Sequence, residues 1–273
     1  MKIALLYFSG TGVTAKFASD IASGFIKANH SVDLLRIKRG ADFNLAQYDI
    51  LGVGAPAYSY RAPRIVTRFL RKLDFYRKPF FVFSTSGGVP GNTLWNLYKA
   101  MYRKAGLFLG SIEGFGTTNI KSWMPKITDT NQKLGGLTKH DCEMAQLFSE
   151  KILDRLTRWK KNFDKMEMRG LIPQSNLLYY IWAGFFTWRS EMAFYVGIKL
   201  LDKEKCNSCK LCATKICPSG AISLNKKNMP RFNELRCVGC SGCVNLCPKD
   251  AIWTIRSKNH RQYDFYKDYI LKN

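Results

Sequence analysis

Apolar and polar positions follow two rhythms along the first 165 residues. Lys2–Phe8 is a nearly unbroken apolar run, and after the polar stretch Ser9–Thr14 the residues Phe17, Ile21 and Phe25 recur at helical spacing. A short apolar run reads as a strand buried on both faces, and a helical period as a helix with one inward face. The same logic marks strands at Val32–Ile37, Asp49–Gly54 and Phe80–Phe83, the last introduced by Lys78-Pro79. Helices are predicted over Pro63–Leu73, with Ile65, Val66, Phe69, Leu70 and Leu73 inward, and over the segment holding Leu94, Leu97, Tyr98 and Met101. An apolar run around Leu107–Leu109 continues past Gly110 as a fifth strand, and a long helix runs from about Lys139 to Phe163. Strands alternating with helices in this way form βαβ units with a parallel sheet covered on both faces. Residues 1–165 are therefore expected to be one doubly wound α/β domain.

The alternation stops at 166–200, an aromatic connector that includes Met166, Met168, Tyr179, Tyr180, Trp182, Phe185, Phe186, Trp188, Phe194 and Tyr195. Its charge-free part opens with Pro173-Gln174-Ser175-Asn176, which leaves about a dozen apolar residues where a spanning helix needs roughly 17–25. The connector is expected to pack the two halves of the chain together and shield a metal site from water. Flanked by Arg169 and Arg189, it also suits an anionic membrane surface without crossing it. Met1 leads straight into the first strand with no secretory pattern, so a cytoplasmic location is expected.

Cysteine placement changes the picture from residue 201 onward. Eight of the nine cysteines lie between Cys206 and Cys247, as Cys206-x2-Cys209-x2-Cys212-x4-Cys217-Pro218 and Cys237-x2-Cys240-x2-Cys243-x3-Cys247-Pro248. The second run repeats the first, since Cys217-Pro218-Ser219-Gly220-Ala221-Ile222 answers Cys247-Pro248-Lys249-Asp250-Ala251-Ile252. Clustering of this kind favours metal ligation over a dispersed disulfide framework. Zinc also accepts paired CxxC elements, but it gives no reason for a third cysteine at the same spacing, a trailing Cys-Pro or a duplicated copy. The segment 201–273 resembles the bacterial two-cluster 4Fe–4S ferredoxins, a small α+β domain. In that family the last cysteine of each run ligates the other cluster. The resemblance implies one cluster on Cys206, Cys209, Cys212 and Cys247, and a second on Cys237, Cys240, Cys243 and Cys217. One departure is visible: four residues, Ala213–Ile216, separate Cys212 from Cys217 where the family has three. Cys142 falls in the predicted last helix of the first domain and reads as a small packing residue.

The polar stretch Ser9-Gly10-Thr11-Gly12-Val13-Thr14 lies between a strand and a helix, where backbone N–H groups and hydroxyls converge on an anion at the positive end of the helix. It lacks the Gly-Lys-Ser/Thr end of a nucleotide P-loop and the full GxGxxG spacing. It is similar to the phosphate loop of the flavodoxin family, Ser/Thr-x-Thr-Gly-x-Thr, without a substitution. That resemblance implies a five-stranded parallel sheet of order 2-1-3-4-5 with FMN at the carboxyl ends of the strands. Two further loops suit an isoalloxazine ring: Pro56, Ala57, Tyr58, Ser59 and Tyr60 after the third strand, and Thr85, Ser86, Gly87 and Gly88 after the fourth. Trp123 and Met124 are weaker candidates. Together the two halves resemble flavodoxin–ferredoxin fusions of anaerobic bacteria and archaea.

Charge comes last because it changes the expected partner. Lys and Arg total 43 against 20 Asp and Glu, a formal net charge of +23. Flavodoxins and ferredoxins are usually acidic, so this chain departs from both. Arg61, Arg64, Arg68, Arg71 and Lys72 crowd the third-strand loop and its helix, a patch suited to steering an acidic redox partner to the flavin. Nucleic acid is a possibility on charge alone, yet no helix-turn-helix, zinc-finger or RNA-binding signature is present. The expected function is electron relay between two 4Fe–4S clusters and FMN, linking one-electron carriers to one- or two-electron acceptors. The alternative is a flavin-dependent reductase of a small organic substrate fed by the clusters, with Tyr58, Tyr60 and Arg61 on the substrate side.

Overall fold

The structure is a computed structural model that describes residues 1–116, 118, 120, 136–161, 169–186, 196–258 and 263–272. Trp123 and Met124, and connector positions Met166, Met168, Trp188, Phe194 and Tyr195, lie outside the described residues.

Five strands, β1 (Lys2–Tyr7), β2 (Ser31–Arg36), β3 (Ile50–Pro56), β4 (Phe80–Ser86) and β5 (Phe108–Phe115), pair in the order β2-β1-β3-β4-β5. Every pairing is parallel, with Leu6 opposite Leu35 and Val53, and Val53 opposite Val82. β1, β3 and β4 are buried almost throughout, as their uninterrupted apolar runs require in a sheet covered on both sides.

Helices α1 (Val13–Lys27) and α4 (Lys139–Lys161) cover one face, where Phe17, Ile21 and Phe25 meet Phe81, Phe83 and Phe148. Helices α2 (Arg64–Lys72) and α3 (Thr93–Tyr102) cover the other, over Leu6, Phe8, Val53 and Val82. Only Val66 and Leu70 of α2 are fully buried, while Ile65 and Phe69 pack at its border. Arg71 and Lys72 in the last turn of α2 complement the negative end of its dipole.

After residue 169 the chain returns along the α2/α3 layer. Leu171 and Ile172 pack against that core, and a helix α5 (Leu177–Phe186) follows. The C-terminal part is built on two small antiparallel ribbons. One pairs β6 (Leu200–Leu201) with β9 (Ile252–Trp253), and the other pairs β7 (Ile222–Leu224) with β8 (Pro230–Phe232). Between them lie a π-helical turn at Cys212–Ile216 and the short helix α6 (Gly242–Asn245), and α7 (Asp268–Leu271) closes the chain.

The two halves pack directly against each other. Val238 and Cys240 belong to the same buried cluster as Phe8 and Tyr58. Tyr263 is fully buried with Val13 packed against it. The aromatic composition of the connector predicts that it holds the halves together, but Leu177, Leu178, Tyr180, Ile181 and Trp182 are exposed. The exposed side chains belong to α5, whereas Val196 at the end of the connector joins the buried cluster that spans the halves and Leu171 and Ile172 pack against it.

Candidate functional site

A cavity of about 480 Å³ opens at the carboxyl ends of β1, β3 and β4. Of the fifteen positions expected to hold a flavin, fourteen line it: Ser9, Gly10, Thr11, Val13 and Thr14, then Pro56–Tyr60, then Thr85–Gly88. Gly12 is not among the lining residues. It caps α1 at φ 105° and abuts the Tyr266 backbone, so its lack of a side chain serves the junction between the halves. Val89, Gly116, Thr118 and Ile120 complete the wall, and so does Gly239 from the far half of the chain. Val89 continues the glycine-rich turn after the fourth strand, whereas sequence reasoning missed the other four, of which only Gly239, inside a CxxC, carried any signal.

The lining residues suit a phosphorylated flavin on three observations. The first turn of α1 holds no acidic residue and no side-chain cap, so its N–H groups and dipole face the cavity uncompensated. The Gly12 N–H donates to Ser9 Oγ at 3.0 Å, and Thr14 and Thr85 share a hydrogen bond of 2.7 Å between hydroxyls, which ties the first turn of α1 to the end of β4. Ser86 Oγ is buried without a hydrogen-bond partner among the described residues, an orphaned group that a ligand polar atom would satisfy.

Tyr58 packs edge-on against Phe8 at 6.3 Å, and its N–H donates to the Arg61 carbonyl at 2.8 Å to close a tight turn. Ser59 and Tyr60 at the turn's centre have φ 47° and 63°, a conformation that costs non-glycine residues energy and that clusters at ligand sites. Arg61 stands outside the lining, so the substrate-side role considered for it loses its geometry.

The eight cluster cysteines separate into two pockets. Cys206, Cys209, Cys212 and Cys247 line one, and Cys217, Cys237, Cys240 and Cys243 line the other, the crossed sets that the ferredoxin resemblance implies. The four-residue spacing after Cys212 has a structural reason. The Cys217 N–H donates to the Cys212 carbonyl at 3.0 Å, one residue beyond an α-helical bond, so the extra residue is absorbed in a π turn. The second run has one residue fewer and forms the α-helical turn of α6, with Leu246 N–H donating to Gly242 O at 2.8 Å.

Backbone donors surround the sulfurs. Ala221 N–H donates to Cys217 Sγ at 3.3 Å, Gly239 N–H to Cys237 Sγ at 3.4 Å and Ala251 N–H to Cys247 Sγ at 3.4 Å. Such donors stabilise ligating thiolates and tune cluster potentials. Ser241 Oγ, buried in the second pocket, has no partner among the described residues. Burial, reinforced by neighbouring thiols, pushes Cys212 up to about 11 and Cys240 up to about 12, and Cys243 well above the ordinary range. Thiols packed this way ionise together only when positive iron offsets their charge. Lys199 is nearly buried beside the second set and bonded to Glu234 at 2.7 Å; Cys237 and Glu234 hold its ammonium above the usual lysine range against the cost of burial.

The cavity and the second cysteine pocket share a wall. A Cβ on Gly10 would lie 2.6 Å from Cys240 Cβ and 3.0 Å from its carbonyl oxygen, so only glycine lets the phosphate loop rest on the cysteine loop. Arg36, at the end of β2, donates to Lys215 O at 2.7 Å, Ile216 O at 3.0 Å and Ser9 O at 3.3 Å. The Arg39 N–H donates to Pro218 O at 2.8 Å.

Fold and site define a two-part redox protein. A flavodoxin-domain family model matches residues 4–105, and a 4Fe-4S dicluster-domain model matches residues 205–252. The chain is accordingly a flavodoxin–ferredoxin fusion with an electron-transfer role, its first domain of an FMN-binding type and its second of an iron–sulfur type. Curated relatives include pyruvate synthase subunit PorD of Thermotoga maritima, 45% identical over 60 residues, which is 22% of this chain and 60% of that protein. PorD of Methanocaldococcus jannaschii is 37% identical over 59 residues, 22% of this chain and 67% of that protein. The arsenate respiratory reductase iron-sulfur subunit ArrB of a Shewanella species is 34% identical over 59 residues, 21% of this chain and 25% of that protein. The chain thus spans about three fifths of the first of these relatives. Among solved structures, an archaeal flavodoxin is 15% identical with a TM-score of 0.45, covering 57% of this chain and 99% of its own.

Proposed function

We propose that this chain relays electrons within one polypeptide between FMN, held in the cavity by the loops at 9–14, 56–60 and 85–88, and two 4Fe–4S clusters held by the crossed cysteine sets. The observation that carries this reading is the shared wall: Gly239 lines the flavin cavity while Cys237 and Cys240 on either side of it line a cluster pocket. FMN exchanges one or two electrons, so in this setting it links single-electron carriers to acceptors of either kind.

The chain's own residues do the rest. The open end of α1 and the hydroxyls of Ser9 and Thr11 bind the phosphate; Tyr58 and the 85–88 loop fix the ring; Arg36 holds the cluster loop against the phosphate loop. Buried Lys199 and the N–H groups of Ala221 and Gly239 would stabilise negative charge at a cluster held by the second cysteine set, which would favour its reduction. Among the described residues no charged side chain lines the flavin cavity, and the two tyrosines are its only titratable groups, a wall suited to electron exchange more than to acid–base work on a substrate.

Anaerobic purification followed by an optical spectrum and by iron, sulfide and FMN quantitation tests the reading. It requires flavin together with iron and labile sulfide sufficient for two cubane clusters. Zinc without labile sulfide, or protein that never takes up FMN, refutes it.

A further inference from the structure

Helix α5 has a surface that neither the flavin nor the cluster reading uses. Its sequence, LLYYIWAGFF, carries no charge, and Leu177, Leu178, Tyr180, Ile181 and Trp182 are between 42% and 72% exposed. With 3.6 residues per turn, these five positions sweep about 200° of the helix circumference. The remaining arc holds Tyr179 and Ala183, which face the protein: Ala183 is buried, and Tyr179 stacks on Tyr60 with ring centroids 5.3 Å apart. Asn92 and Asn176 exchange hydrogen bonds of 2.9 and 2.8 Å and moor the start of α5 to the start of α3.

The helical layer to which α5 is moored is basic. Helices α2 and α3 contain Arg64, Arg68, Arg71, Lys72 and Lys99 and no acidic residue, whereas α1 and α4 on the opposite face carry Asp20, Asp141, Glu143, Glu150 and Asp154. Arg68, Arg71, Lys72, Lys99 and Arg103 are exposed, and so is Tyr102. The exposed apolar arc of α5 is thus moored to a pair of helices that carry cationic and no acidic side chains.

We propose that α5 with the adjoining α2/α3 layer is a peripheral membrane-binding surface whose occupant is an anionic lipid bilayer. A protein groove covers one stripe of a helix, commonly about 100° wide. An exposed apolar arc twice that width is matched by a medium that closes around it. Tyr180 and Trp182 are the residue types that settle at the headgroup level, with the ring in the hydrocarbon boundary and the polar edge in the headgroups. At about 15 Å the helix is half the thickness of a hydrocarbon core, so it lies in the interface and does not cross. Arg68, Arg71, Lys72, Lys99 and Arg103 supply the attraction to anionic headgroups. Through the Tyr60–Tyr179 stack, the bound helix brings the mouth of the flavin cavity to the lipid surface.

The test is co-sedimentation of the full-length holoprotein with phosphatidylcholine vesicles, with and without phosphatidylserine. Binding to the anionic vesicles at low salt is expected, together with quenching of Trp182 by brominated lipid that Trp182→Phe abolishes. Replacing Leu178, Ile181 and Trp182 with Ser is expected to weaken binding at least tenfold without changing flavin or iron content, and Arg68→Ser with Arg71→Ser to weaken it on anionic vesicles. The proposal is overturned by failure to sediment, by equal binding to both vesicle types, or by binding that survives the triple-serine change. It is equally overturned if that change instead abolishes a dimer in light scattering, or the capture of an acidic ferredoxin by protein that ignores vesicles; the surface then belongs to a second copy or to an acidic protein.

Discussion

Gly10→Ala is the sharpest single perturbation of the shared wall. The added methyl would sit 2.6 Å from Cys240 Cβ, and relaxed carbon–carbon contact is about 3.5–4.0 Å, so the phosphate loop must retreat by about 1 Å. Retreat on the other side is blocked, since the opposing atoms include the Cys240 carbonyl and its backbone is anchored by the cysteine loop. Overpacking of this kind costs about 1–3 kcal/mol. Because the displaced loop is the one that meets the phosphate, the cost falls largely on FMN binding and weakens it about 5- to 150-fold at 1.4 kcal/mol per tenfold. Fluorescence titration of the flavin-free protein with FMN measures it, with riboflavin as a probe that lacks the phosphate. An FMN affinity within twofold of the parent protein, with iron content unchanged, would refute the claim that glycine is required for contact between these loops.

Other consequences are equally open to measurement. Ser86→Ala removes a hydroxyl that has no internal partner among the described residues, so the flavin-free protein should keep its melting temperature while FMN binds about 2- to 10-fold more weakly, one neutral hydrogen bond's worth; a melting temperature that drops would show the hydroxyl to be structural. Arg36→Met deletes the fork that spans Ser9, Lys215 and Ile216; with two short charged bonds in a half-exposed setting, urea unfolding should show a loss of about 2–3 kcal/mol, and Arg36→Lys should recover only part of it. Cys217→Ser and Cys247→Ser should each halve the iron and labile sulfide, and the two should leave different residual cluster signals in electron paramagnetic resonance. Identical residual signals would contradict the crossed ligand sets.

Much of this was legible in the sequence because it is local. The buried strands β1, β3 and β4 announce themselves as apolar runs, and the Ser9–Thr14 loop and the cysteine runs hold their ligating groups at fixed short spacing. The exposed edge strand β2 was legible too, through Leu34 and Leu35 with Val32. Hidden were the features set by how distant segments meet. No periodicity announces that Gly239 reaches the flavin cavity, that Tyr266 closes over Gly12, or that Arg36 reaches across to Lys215 and Ile216. The four-residue gap after Cys212 was visible as a departure, but its resolution as a π turn needed the backbone geometry. The connector was legible in part: Leu171, Ile172 and Val196 do pack with the cluster between the halves, but nothing in the spacing of the aromatic residues tells that the outer arc of α5 stays exposed.

In the proposed relay, electrons pass between clusters and flavin inside one molecule. Stopped-flow reduction of the clusters in the FMN-loaded protein, followed at flavin wavelengths over a range of protein concentrations, tests it directly. Transfer within one molecule gives a flavin reduction rate that does not change with protein concentration and that disappears in Cys217→Ser. A rate proportional to concentration, or one untouched by loss of the second cluster, would contradict it.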